Sequence, residues 1–263
     1  LLITIPVLLL FFCFNTLPLI KGFMYSFTNF KGFGSYDIVG LRNYIDLFTD
    51  ARVGKSYLFT FKFAILATII TNIIALILAL GLNSKIKAKS TLRGIYFVPR
   101  ILGGLVVGYI FGYIFTYILP AVTGTSSMLS STNTAWIAIV IVASWQAIAQ
   151  TTLIYISGLQ TVPEDVYEAG AIDGATGWKS FKSLTLPLII PFLSINMVLS
   201  MKDFLMVFDQ IMALTKGGPA QSTESISYLI YNNGIGGGQF GFQSANAVIF
   251  FVVIVAISVF QLN

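Results

Sequence analysis

Long apolar runs separated by short polar segments dominate the chain. Five stretches carry no Asp, Glu, Lys or Arg: residues 1–20, 63–84, 101–163, 183–201 and 225–263. A helix crosses the hydrocarbon core of a bilayer with about 20 apolar residues. The third stretch is too long for one crossing. It is divided by Pro120 and by a polar run from Thr123 to Thr134, which reads as a loop. The last stretch opens rich in Gly and Asn and turns apolar only near Ala245. The pattern therefore predicts six membrane-spanning helices, near 1–27, 57–82, 95–119, 135–157, 186–213 and 244–262. A membrane β-barrel would show alternating segments of about 10 residues, and none is visible. The expected fold class is all-α integral membrane, with residues 1–263 as a single transmembrane domain. The chain starts at Leu1 and stops at Asn263 without a basic tail, so both ends read as incomplete. The first run is read as a retained span: it is long, it contains Pro6 and Pro18, and it lacks a small-residue cleavage site.

Composition narrows the chemistry. Hydrophobic residues make up 56% of the chain and charged residues 10%, against about 25% charged in a soluble domain. A water-soluble globular protein and a disordered one are both excluded. The chain has no His, which removes histidine triads, proton relays and the usual zinc and haem ligands. The lone Cys13 forms no internal disulfide and reads as a packing residue. An intramembrane enzyme would need a nucleophile with a base or a metal cluster, and nothing in the sequence qualifies.

Lys85, Lys87, Lys89 and Arg93 follow the second span, whereas the connection after the third has no Lys or Arg. The positive-inside rule then places the first connection, and the N-terminus, in the cytoplasm. Residues 28–56 compete on Lys and Arg count, with Lys31, Arg42, Arg52 and Lys55 beside Asp37, Asp46 and Asp50. Residues 41–49 predict a short amphipathic helix lying at the opposite surface.

The connection between spans four and five, about residues 158–187, is the most informative segment. It holds Glu164, Asp165, Glu168 and Asp173. Thr161 and Glu164 have capping-box spacing, and Pro163 suits a helix start. A helix is expected over 163–172, ended by Gly174 in a left-handed conformation. A second short helix is expected from Thr176 to Leu184, with Pro187 opening span five. Asp173 can cap that second helix. Ala169, Gly170, Ala171 and Ala175 leave the surface low in side-chain bulk, so another protein can approach the backbone.

These residues carry a resemblance. Glu168, Ala169, Gly170, Ala171, Ile172, Asp173, Gly174 and Ala175, followed by Phe181, Leu186 and Pro187, resemble the EAA loop of binding-protein-dependent ABC importer permeases. The family's second Ala is Gly170 here. Gly158, Leu159, Gln160 and Pro163, and the segment from Leu214 to Pro219 with Thr223 and Glu224, resemble the carbohydrate-uptake branch that includes maltose and glycerol-phosphate permeases. That branch usually has Gly where Lys216 stands.

The resemblance implies a type I ABC importer permease fold with a coupling helix in a cleft of a cytoplasmic ATPase. It implies a second, non-identical permease, two ATP-binding subunits that hold ATP and Mg, and an extracellular solute-binding protein. It also implies a bacterial cytoplasmic-membrane location in the lipid bilayer, a sugar or oligosaccharide as solute, no cofactor in this chain and no nucleic acid. Residues 174–180 suggest a P-loop at a glance, but Trp178 stands where a Walker A motif needs Gly before Lys179.

Within the spans, polar residues are the candidates for a solute path. Span five holds Asn196, Lys202, Asp203, Phe204, Phe208, Asp209 and Gln210, and span four holds Trp145 and Gln146. Charges within a span usually face a bundle interior or a water-filled cavity, although a helix end reaching water is the alternative. Lys202 and Asp203 point about 100° apart on a helix, so no simple pairing is expected. Gly104, Gly108 and Gly112 line one face of span three and suit close packing inside the bundle or, second, a permease–permease interface. Arg100 is expected to reach the headgroups. The competing functional reading is a self-sufficient secondary transporter, which would want buried acids, broken helices and internal repeats. No clear repeat is present, and the acids cluster in one loop.

Overall fold

The computed structural model describes residues 4–84, 94 and 98–262. Among the described residues, six helices are long and apolar enough to cross a membrane: Thr4–Tyr25, Ala51–Asn83, Gly104–Thr123, Thr132–Leu159, Gly177–Leu205 and Phe240–Gln261. Among the described residues no β-strand forms, only an isolated bridge between Thr28 and Ile38. The expected all-α, six-span class is the one observed. The basic residues Lys85, Lys87, Lys89 and Arg93 and the expected start of span three at residue 95 lie outside the described residues.

The span ends move for local reasons. Span two starts at Ala51, earlier than expected, because Asp50 caps it. The Asp50 carboxylate accepts from the backbone N–H of Arg52 at 2.7 Å and of Val53 at 3.2 Å, which satisfies donors left over at a helix start. Arg52 and Lys55 therefore belong to the helix and not to the loop before it. Span four starts at Thr132, where the Ser131 hydroxyl accepts from the Asn133 N–H at 3.3 Å. The amphipathic helix forms over Arg42–Thr49.

Three prolines are accommodated within helices, two of them (Pro120 and Pro187) at places expected to be boundaries. Pro18, Pro120 and Pro187 each follow a wide π-type turn, at Phe12–Thr16, Ile114–Ile118 and Phe181–Thr185. The residue before each proline donates five positions back: Leu17 to Phe12, Leu119 to Ile114, Leu186 to Phe181. Proline has no N–H and its ring crowds the carbonyl four residues earlier. One extra residue in the turn relieves both problems, and the helix continues. Span three thus runs past Pro120 to Thr123 and ends at Gly124, with φ +69°. The expected second short loop helix is absent as a separate element: it is the first part of one continuous helix, Gly177–Leu205.

By contacts the chain forms two compact units, Leu1–Phe59 with Glu224–Ala256, and Thr60–Thr223 with Ile257–Asn263. The first has a core of Leu47, Val53, Leu229 and Ala245, flanked by Tyr44, Tyr57, Phe242 and Ile249. The buried Asn43 amide donates to the carbonyls of Ser26 at 2.8 Å and Thr28 at 2.9 Å, tying the amphipathic helix to the end of span one. Span one itself buries none of its described residues. The second unit packs spans two, four and five around Ala75, Ala79, Ile148, Tyr155, Ile156, Leu159 and Ile189. At Gly158 a Cβ would stand 2.6 Å from the Phe192 ring, so only glycine allows spans four and five this close.

Candidate functional site

Two helices of the second unit are interrupted, and the interruptions meet. Residues 98–101 are helical, Leu102 and Gly103 are not, and the helix resumes at Gly104. Span five ends at Leu205, residues 206–208 are extended or irregular, and a short helix Asp209–Leu214 follows. Span five was expected to run unbroken to 213. No Pro or Gly marks this break, so no local residue pattern announces it. The Gly104, Gly108 and Gly112 stripe packs on the short helix. A Cβ at Gly104 would stand 2.5 Å from the Asp209 carboxylate, and one at Gly108 2.5 Å from the Ala213 Cβ. The stripe is accordingly packing inside the subunit.

Broken helices free backbone carbonyls, and membrane-depth backbone of this kind is tolerated where it is buried in protein or lines a watery cavity. Here the Gln146 amide donates to the freed Leu102 carbonyl at 3.3 Å and accepts from the Gln210 amide at 2.7 Å. Beside this pair lies a cavity of about 300 Å³, lined by Arg100, Gln146, Asp203, Phe204, Asp209 and Gln210 among others. Lys202 and Asp203, expected not to pair, do so at 3.2 Å. The flexible lysine stem spans the angle between neighbouring positions.

Of the expected path residues, Gln146, Asp203, Phe204 and Gln210 come together here. Trp145 does not line the cavity, and its ring packs on Phe111 with centroids 5.2 Å apart. Asn196 is 1% exposed and donates to the Thr151 carbonyl at 3.1 Å, so it holds spans four and five together rather than facing a solute. Phe208 stands at the N-terminal cap of the short helix and does not line the cavity. Arg100, expected at the headgroups, is part of the wall. The Gly103–Gly104 doublet just after it was the available signal of a break.

The loop between spans four and five forms a helix over Glu164–Ile172. The capping box does not form. Thr161 donates instead to the Gly158 carbonyl at 2.7 Å and finishes span four, and Pro163 holds the cap position with no side-chain bond. Asp173 is the C-cap of this helix and not a cap of the next, where Thr176 stands. Gly174 has φ +74°, a conformation that costs other residues about 1–2 kcal/mol. It turns the chain so that the Ala175 N–H reaches the Gly170 carbonyl at 2.8 Å.

Tyr167 and Thr185 share a hydroxyl hydrogen bond of 3.2 Å, which ties the loop helix to span five. Gly170 is buried, and a Cβ there would overlap the Leu184 side chain. That explains a glycine at this place and corrects its expected role as open surface. Phe181 is half-buried under the exposed Trp178, with ring centroids 5.2 Å apart, and Pro187 is exposed on the helix. Glu168, Ala169, Ile172 and Asp173 face outward, and Ile172 is 88% exposed.

Lys216 has φ +51° and Gly217 +81°. Both positions are left-handed, the conformation that glycine adopts most readily, so Lys216 holds it as a non-glycine residue. Thr223 closes this turn: its hydroxyl donates to the Gly218 carbonyl at 2.6 Å and lies 2.8 Å from the Thr215 hydroxyl. The next residue, Glu224, is almost fully buried and takes a two-pronged contact from Arg52, 2.8 Å from Nε and 2.7 Å from Nη2. Arg52 was counted only as a loop charge in the sequence. Its partner is 172 positions away, and no local spacing announces it.

Residues 71–263 match the family described as the binding-protein-dependent transport system inner membrane component. The multiple sugar-binding transport system permease protein MsmF of Streptococcus mutans is 38% identical over 94% of this chain and 88% of its own length. The probable starch degradation products transport system permease protein AmyD of Thermoanaerobacterium thermosulfurigenes is 34% identical, over 97% and 90% respectively. A bacterial alginate ABC transporter, solved in complex with alginate pentasaccharide-bound periplasmic protein, shares the fold at TM-score 0.81 and 20% identity, covering 98% of this chain and 91% of its own.

Proposed function

The chain belongs to the binding-protein-dependent transport system inner membrane components, and from that membership we propose that it forms half of an ATP-driven path for a sugar or oligosaccharide. It is a permease subunit, a transport component rather than an enzyme. The observation that carries the reading is the polar cavity between two interrupted helices. Discontinuous helices are a recurring way to build a solute site within a membrane, because their freed backbone groups and short helix ends are available to a polar ligand. The Gln146–Gln210 amide pair supplies donors and acceptors for hydroxyl groups, beside a wall that includes the largely buried Phe204. The relatives named for sugar and starch-product transport support the solute class.

The same reading assigns the partners. Span one, with no buried residue of its own, is free to pack against a second, non-identical permease. The loop carrying Glu168, Ala169, Gly170, Asp173, Gly174 and Ala175 docks on one of two ATP-binding subunits, which hold ATP and Mg. A solute-binding protein delivers the ligand from the opposite face of a bacterial cytoplasmic membrane.

Substitution of the cavity residues tests the path. Gln146→Ala, Asp203→Ala and Gln210→Ala should each lower uptake roughly five- to a hundredfold, the effect of about 1–3 kcal/mol from a polar contact left unmade. The complex should still assemble in each case. Asn196→Ala should behave differently, reducing the amount of folded protein because it removes a bond inside the bundle. Unchanged uptake by all three cavity variants, in correctly assembled complexes, would place the path elsewhere.

A further inference from the structure

We propose that the groove between spans two and four binds one anionic phospholipid, with its phosphate at Lys62 and one acyl chain along the groove. The groove has a volume of about 450 Å³ and an almost wholly apolar wall, including Leu66, Ile70, Ile74, Ile137 and Ile141. It extends along span four from Trp136 to Ile148, about 18 Å at 1.5 Å per residue. That length is close to one leaflet of the hydrocarbon core, about 15 Å.

The rim of the groove identifies the headgroup. Trp136 lies near the start of span four, just beyond the polar residues 130–134, at the depth where aromatic belts meet the headgroups. The Lys62 ammonium stands 4.8 Å from the centre of the Trp136 ring. A cation–π contact uses the charge without consuming its hydrogen-bond donors, so the ammonium can still donate to a phosphate. Lys62 takes part in none of the ion pairs found among the described residues.

A protein helix fits this surface less well than a lipid chain. A packed helix would need a seam across the full core, about 30 Å, whereas the groove stops at Ile74 and Ile148. Beyond it Tyr155 and Ile156 are buried in the subunit's own core. Ile65, Ile69 and Ile73 on the adjoining face of span two are exposed, as a lipid-facing surface is. The site is independent of the transport cavity and requires only that the six helices cross a bilayer.

Native mass spectrometry of the assembled transporter, supplied with equimolar phosphatidylglycerol and phosphatidylcholine in detergent, tests the proposal. Wild type should retain the anionic lipid over the zwitterionic one by about fivefold, the preference one lysine near a phosphate gives. Lys62→Gln should abolish the preference and Lys62→Arg keep it. Ile141→Trp, which fills the groove, should reduce retention of both lipids severalfold. Equal retention of the two lipids by wild type would overturn the proposal, as would a preference that survives Lys62→Gln, or full retention by Ile141→Trp. A photo-crosslinker at position 141 should capture lipid; capture of the second permease instead would show that the groove is a subunit seam.

Discussion

Arg52→Ala will destabilise the protein by about 3–5 kcal/mol, the usual loss when one member of a buried ion pair is removed. The effect is asymmetric because the two partners are buried unequally. The Glu224 side chain is 3% exposed, and that of Arg52 is 35% exposed. Without the guanidinium, a buried carboxylate is left with both its short contacts gone. Without the carboxylate, Arg52 can turn toward water, so Glu224→Ala should cost less. Arg52→Lys keeps the charge but loses the planar fork that fits a carboxylate on two prongs, and should fall between the two. In thermal unfolding of the detergent-purified complex, Arg52→Ala should lower the Tm by roughly 10 °C. The double variant Arg52→Ala with Glu224→Ala should recover part of that loss, because no charge is stranded. A double variant less stable than Arg52→Ala alone would mean that the buried carboxylate is not the source of the penalty.

Glu168→Ala will lower solute uptake and solute-stimulated ATP hydrolysis together while leaving the membrane fold intact. Glu168 lies in the middle of the loop helix, fully outward, and takes part in no ion pair among those described. It is too far along to serve the positive helix start, whose field fades within the first turn. Its proposed partner is an Arg or Lys on the ATPase surface. Truncating one side of a desolvated charge pair across an interface costs about 2–5 kcal/mol, more than tenfold in coupling. Solute-stimulated ATPase activity and uptake should both fall by that factor, with normal membrane insertion. Gly174→Leu acts by another route. Nothing lies within 4 Å of its Cβ position, but the φ of +74° is strained for leucine. The bend between the loop helix and span five should shift, and ATPase co-purification should weaken. Wild-type assembly and transport in both variants would remove the loop from the coupling role.

The spans were legible because an apolar run of sufficient length leaves a chain few alternatives in a membrane. The loop helix was legible because Gly174 announces its end. Proline misled the reading at Pro120 and Pro187, since a π-type turn ahead of each ring keeps the helix intact. The break at 206–208 was hidden because no turn residue marks it, and the short helix beyond it meets Gly104 and Gly108 from a distant part of the chain. The same reason separates the candidate path residues. Gln146 and Asn196 look alike in sequence, both amides in apolar runs, yet Gln146 reaches the cavity and Asn196 is spent on the Thr151 carbonyl. Which face an amide occupies depends on helix rotation, and a span apolar on nearly every side does not encode it.

The most direct test of the central claim is solute uptake into proteoliposomes carrying this chain with its second permease and the ATP-binding subunits. The sugar-loaded binding protein is placed on the face away from the Glu164–Ile172 helix, and ATP on the face that the helix occupies. Accumulation should require both ATP and the binding protein, and none should occur when this chain is reconstituted alone. Accumulation by this chain alone, driven by an ion gradient without ATP, would make it a self-sufficient carrier instead.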